Sequence, residues 1–227
     1  MTQADEAYSS GAATRSALIE VGILMFGRRG FHPTSTRALA EAAGVNQALI
    51  GFHFGGKEGL YLAVCHHIAE QLYPRLIPPD VNIERLEAIK DPSEADAACL
   101  EAICRMTDCM LDVMSDPKLK PWLCIVMQEQ LEPGSAFDYV YDRLVGPHFD
   151  MFAKLISHLR PDHSETENKL VAAMVIGQVL AFHPARSAIL KNMNWASFGE
   201  EEIAMIKAAS RRNIVLLMQH SAARTGA

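Results

Sequence analysis

Long apolar runs, a surplus of positive charge and paired cysteines are all missing from this 227-residue chain. No apolar stretch approaches the roughly 20 residues that cross a bilayer, so no membrane partner is expected. The formal net charge is −6. Residues 1–60 are neutral, with five basic side chains (Arg15, Arg28, Arg29, Arg37, Lys57) against five acidic ones (Asp5, Glu6, Glu20, Glu41, Glu58). Any nucleic-acid-binding face must therefore be local. The five cysteines are odd in number, and no C-x-x-C or H-x-x-x-H spacing occurs. Cys99, Cys104 and Cys109 recur at a spacing of about 500° around a helix, and the adjacent His66 and His67 point apart, so neither set converges on a metal. Neither a phosphate loop, a nucleophile elbow nor a carboxylate–histidine metal spacing is present. No cofactor, no metal and no enzymatic activity are expected. The opening "MTQADEAYSSGAATRSAL" is polar and lacks an apolar signal-type core, which sets the expectation of a reduced, soluble, cytoplasmic protein.

What the chain does have is apolar content, 49% of its residues, arranged at helical spacing. Residues 1–12 read as a flexible tail. From Thr14 a first helix carries Leu18, Val21, Met25 and Phe26 and ends at Gly30. Ser35 or Thr36 caps a second helix and Asn46 a third, and a fourth opens at "GGKEGLYLAV" and stops before Pro74. The segment from Pro74 to Ser93 has four prolines and reads as a less ordered connection. Helical patterns then run from Glu94 to the end, with a kink expected near Gly146-Pro147. With no alternating strand pattern and no repeat, the fold class is all-α. A helix-turn-helix head over 13–60 precedes a larger helical body over 61–227.

The stretch "AEAAGVNQALIGFHFGGKEGL" carries the functional signal. Helix-forming residues stop at Gly44, restart, and stop again at Gly55. On two short helices, Leu39, Ala43, Val45, Ile50 and Phe54 fall inward, and small Ala40 and Ala43 permit a close crossing. Asn46, Gln47, Ala48, Gly51, Phe52 and His53 then point outward. Asn and Gln side chains pair with adenine in a major groove. Thr36, Arg37 and Lys57 are donors placed for phosphates.

At these residues the chain resembles the TetR family of bacterial repressors, from about Thr14 to Ile68, through "FGRRGFHPTSTRALAEAAGV" and "FGGKEGLYLAV". The resemblance implies that Thr36, Phe52, His53 and Lys57 contact phosphates while Arg37, Gln47 and Ala48 read bases. The family commonly has Tyr at the position of Gly51 and Tyr or His at that of Phe52, and an apolar touch on a thymine methyl is the alternative to a phosphate contact at these two positions. "MQEQLEPGSAFDYVYDRLVGPHFDMFAKLI" and "AFHPARSAILKNMNWASFGEEEIAM" are similar to the C-terminal domain of the CecR-like subgroup, covering most of residues 85–220.

In the body, Met110, Met114, Trp122 and Met127, with Phe137, Tyr141 and Phe149, suit either a core or a pocket for an apolar effector. Gln128, Tyr141 and His148 are its candidate polar groups. The family implies that a small-molecule effector binds there and shifts the two DNA-reading heads. Apolar stripes of Val171, Met174, Val175 and Gln178, and of Ile203, Ile206, Ile214 and Leu217, are candidates for internal packing. The family's four-helix interface makes them dimerisation candidates as well. A homodimer spaces its recognition helices by about 34 Å, which requires a palindromic operator in double-stranded DNA. The implied protein is a ligand-released repressor. The neutral head, Gly51 and Phe52 leave a second reading open, a small-molecule-binding or enzymatic all-α protein with a vestigial helix-turn-helix.

Overall fold

The computed structural model describes residues 3–219, and among these every regular element is helical. The chain forms two compact units. The first takes in the residues up to Leu72 together with Pro117–Leu144, so it draws on more chain than 13–60. It holds α1 (Gln3–Arg29), α2 (Thr36–Ala42), α3 (Ala48–Phe54), most of α4 (Lys57–Leu76), α7 (Lys120–Leu131) and α8 (Phe137–Val140).

Helix α1 starts well before Thr14: residues 3–12 are helical where a tail is expected from sequence. Met1 and Thr2 lie outside the described residues. Its buried Leu18, Ile19, Ile23 and Phe26 make the core stripe against α7, and Phe26 also meets Tyr61 of α4. Gly27 is needed there, because a Cβ at that position would strike the backbone of Pro121 on α7. Leu39, Ile50, Leu60, Val64 and Ile68, each at most 1% exposed, complete this core. Helix α4 runs through Pro74 to Leu76 instead of stopping before it.

The second unit comprises Tyr73–Asp116 and the chain from Val145 onward. It holds α5 (Ile83–Glu87), α6 (Pro92–Ser115), α9 (Gly146–Leu159), α10 (Glu165–Leu180), α11 (Arg186–Met193) and α12 (Glu200–Met218). The proline-rich connection thus contains a short helix, whose Asn82 side chain accepts from the Arg85 N–H at 3.1 Å. Helix α6 is capped by Asp91, with Pro92 in the first turn where no N–H is needed. It packs against α9, α10 and α12. Lys207 of α12 bonds both oxygens of Asp112 at 2.6 and 2.7 Å, and Arg211 bridges Glu101 and Asp108 of α6. Helix α10 opens with a reciprocal cap in which Ser164 and Glu167 satisfy each other's backbone N–H.

The irregularity expected near Gly146-Pro147 is a π turn over Tyr141–Val145 that leads directly into α9. Pro147 has no N–H to return to the carbonyl four residues back, and the turn before it widens.

Candidate nucleic-acid interface

Helix α2 begins at Thr36 because Ser35 adopts an extended conformation and its hydroxyl accepts the Ala38 N–H at 3.2 Å. It ends where Gly44 turns left-handed, at φ +66°. The Gly44 N–H then donates to Glu41 and the Val45 N–H to Ala40, at 3.1 and 3.0 Å, which closes the helix end and reverses the chain. Two residues on, the Asn46 side chain accepts the Ala48 N–H at 2.8 Å and starts α3. Asn46 is therefore a cap, and its Oδ1 is committed to the backbone.

Inside the corner, Leu39 and Ile50 are buried while Ala43, Val45 and Phe54 are half-buried. The Arg15 guanidinium lies over the Phe54 ring at 5.3 Å, tying α1 to the end of α3. On the outer side, Arg37, Asn46, Gln47, Ala48, Gly51 and Phe52 are exposed, and His53 is half-buried. The two short helices are also linked directly: Gln47 Nε2 donates to Thr36 Oγ1 at 2.9 Å. That bond orients the Gln47 amide before anything binds. Lys57 lies folded onto the α1–α2 connection, with Nζ donating to the Phe31 carbonyl at 3.0 Å and sitting 4.2 Å from the centre of its ring. Seven of the eight residues expected to touch DNA thus stand on the α2–α3 corner, and Lys57 opens α4 beyond it.

The nine residues expected to line an effector site are divided. Trp122, Met127, Gln128, Phe137 and Tyr141 belong to the first unit, and Met110, Met114, His148 and Phe149 to the second. Trp122 meets the His67 ring edge-on at 5.5 Å, Phe137 stacks on Tyr141, and Gln128 lies against Gly30. Met110 and Met114 are core residues of α6. His148 is 5% exposed, and neither ring nitrogen has a hydrogen-bond partner. Burial pulls its pKa down to about 4, so the ring is neutral.

Sequence reasoning missed Glu129, the neighbour of Gln128. Its carboxylate is 3% exposed, accepts the Tyr61 hydroxyl at 2.7 Å through Oε1, and accepts the Gly134 N–H at 3.2 Å through Oε2. The signal was present, because Glu129 stands one helical turn after the buried Ile125. Burial, then the bond to Glu129, drives the Tyr61 hydroxyl pKa well upward. Burial pushes the Cys65 thiol up to about 12.

The residues of the two apolar stripes differ in burial within the chain. Val175, Ile206 and Ile214 are buried within the chain itself, so their side chains serve its own core. Val171, Gln178 and Ile203 are half-buried, whereas Met174 and Leu217 are exposed. The exposed large apolar side chains on these helices are Leu170 and Met174 on α10 and Met205, Leu216 and Leu217 on α12. Gly177 is exposed on α10, with nothing near the place a Cβ would take. Among the described residues no helix is long and apolar enough to cross a membrane, and no group of three His, Cys, Asp or Glu side chains is gathered as for a metal.

A capped helix-turn-helix with a polar outer corner defines a DNA-binding regulator, and comparison with known proteins agrees. Residues 18–64 match the family described as "Bacterial regulatory proteins, tetR family", and residues 98–220 match the C-terminal domain of the "HTH-type transcriptional dual regulator CecR". The Shigella flexneri protein of that name is 30% identical over 210 residues, covering 92% of this chain and 93% of its own. This chain belongs to the TetR family of bacterial transcriptional regulators, in its CecR-like branch. Its fold is also that of a TetR-family regulator from Bordetella parapertussis (TM-score 0.60, 15% identity, 94% of this chain and 98% of that one). AibR, solved in complex with isovaleryl coenzyme A and operator DNA, is alike in fold too (TM-score 0.62, 16% identity, 87% and 96%). These relatives regulate transcription and are not enzymes, which removes the enzymatic alternative.

Proposed function

We propose that the protein is a cytoplasmic repressor that binds a palindromic operator as a homodimer and leaves it when a small apolar effector occupies the helical body. The observation that carries this reading is the cross-helix bond from Gln47 to Thr36, which holds a base-reading amide beside a phosphate-facing hydroxyl. In this reading Thr36, His53 and Lys57 grip the backbone, while Arg37, Gln47 and the outer face of α3 read bases. The exposed apolar side chains of Leu170 and Met174 on α10 and of Met205 and Leu216 on α12 support dimerisation, since apolar surface left open on neighbouring helices suits an interface. The unpaired, buried His148 supports a ligand site in the body, because an imidazole kept dry without a partner costs free energy that a ligand's polar group would recover. AibR's complex with an acyl coenzyme A shows one occupant this fold accepts in that protein.

Selection from a randomised duplex pool with the full-length protein, followed by binding measured against salt, tests the reading. The expected result is a two-fold symmetric sequence whose affinity falls steeply with salt as phosphate counterions are released. A protein that stays monomeric at micromolar concentration, or enriches no symmetric duplex, would overturn it.

A further inference from the structure

Beyond Gln47, the outward face of the recognition helix holds almost no hydrogen-bonding groups. Ala48, Gly51 and Phe52 stand at i, i+3 and i+4 of α3, share one face, and are all exposed. Phe52 is 81% exposed: its ring meets the adjacent His53 edge-on at 5.0 Å and otherwise leaves most of its carbon surface open, an unusual position for a phenyl ring. Gly51 has no internal reason to be glycine: a Cβ built there meets nothing within 4 Å, and its φ is not among the positive ones. Glycine in mid-helix weakens the helix relative to alanine, so the position gives up stability for something outside the chain. What it leaves is an open recess of about 480 Å³ lined by Thr36, Gln47, Ala48, Ile50, Gly51 and Gly56. The polar side chains next to the recess are partly engaged. Asn46 caps α3 and one N–H of Gln47 goes to Thr36.

We infer that α3 reads its operator half-site through thymine C5-methyl groups, received in the recess at Gly51 and flanked by the Phe52 ring. The inference rests on the operator-binding reading above and gives that reading its base preference. Among base edges in the major groove, only thymine presents a methyl, and only carbon surface rewards it. The continuity of this apolar face with the Thr36–Gln47 corner directs it at the same duplex.

The test uses the symmetric duplex enriched by the full-length protein from a randomised pool. Each half-site should contain thymine at fixed positions. Replacing those thymidines by deoxyuridine, which removes only the methyl, should weaken binding by about fourfold per position. In Phe52→Ala the difference between thymidine and deoxyuridine should disappear at one of these positions, while the salt dependence stays as in the parent. Gly51→Leu should fold with equal or higher melting temperature and lose at least tenfold more affinity for the selected duplex than for random DNA. Equal binding of thymidine and deoxyuridine duplexes sinks the inference and leaves the operator reading standing, as does a methyl effect that survives in Phe52→Ala. A pool with no enriched duplex sinks both.

Discussion

The Tyr61 hydroxyl donates to Glu129 across 68 residues of sequence, and this bond joins α4 to α7 inside the first unit. Around it, the Phe26 ring meets Tyr61 edge-on at 5.1 Å, and Phe31 lies against Tyr61 at 5.0 Å. Phe31 in turn carries Lys57, so the buried carboxylate stands three contacts from the residue that opens α4.

Removing that donor leaves a buried carboxylate oxygen without its partner. Tyr61→Phe is expected to destabilise the fold by about 1–3 kcal/mol. Glu129→Gln keeps one acceptor oxygen, for the Gly134 N–H, and its NH2 can donate to a turned Tyr61 hydroxyl, so it should cost less. Urea unfolding of the two variants checks the order. Equal midpoints for Tyr61→Phe and the parent would show that water already satisfies Glu129.

His148 makes stability depend on pH. Unfolded, its imidazole takes up a proton near pH 6.5; folded, burial holds it off until about pH 4. The unfolded chain therefore binds the extra proton in this window. The His148 contribution is fully present above pH 6.5 and is lost as the pH falls towards 4, by roughly 3 kcal/mol in all. Denaturant midpoints measured from pH 7 to 4 should fall more steeply for the parent than for His148→Phe. Parallel curves would mean that the ring finds a proton acceptor when folded.

The exposed apolar face of the second unit predicts how the chain associates. Met174→Glu, at a position 59% exposed, should leave monomer stability unchanged while weakening self-association at least tenfold. Sedimentation at several concentrations reads this directly. Val175→Ala, at a fully buried neighbour, should do the reverse, lowering stability by about 1–3 kcal/mol without first affecting association.

On DNA, Lys57 and Gln47 should separate. Lys57→Ala should weaken binding to all duplexes alike and lower the salt slope by about one, and Gln47→Ala should relax preference at one base position. Thr36→Val removes the hydroxyl that orients Gln47 and should reproduce part of the Gln47→Ala loss of preference. Competition binding with the selected duplex and random DNA distinguishes these outcomes.

Much of the interface was legible in the sequence because its causes are local. A glycine that must turn left-handed, a serine that caps, and an asparagine that starts the next helix act within a few residues of themselves, so Ser35, Gly44 and Asn46 announce the corner unaided. The early start of α1, and α4 running through Pro74, were not legible. Propensity and proline mark where a helix weakens, and packing against neighbours decides whether it ends.

By itself, the sequence determined the all-α class and the order of the parts, since helical periodicity and capping are properties of short segments. Only the tertiary structure decided that Val175 faces in while Met174 faces out, that Glu129 and not Gln128 is the buried partner of Tyr61, and that His148 has none. A periodic stripe shows that some face is covered but not by what, and a hydrogen bond between residues far apart in sequence exists only once the chain has folded.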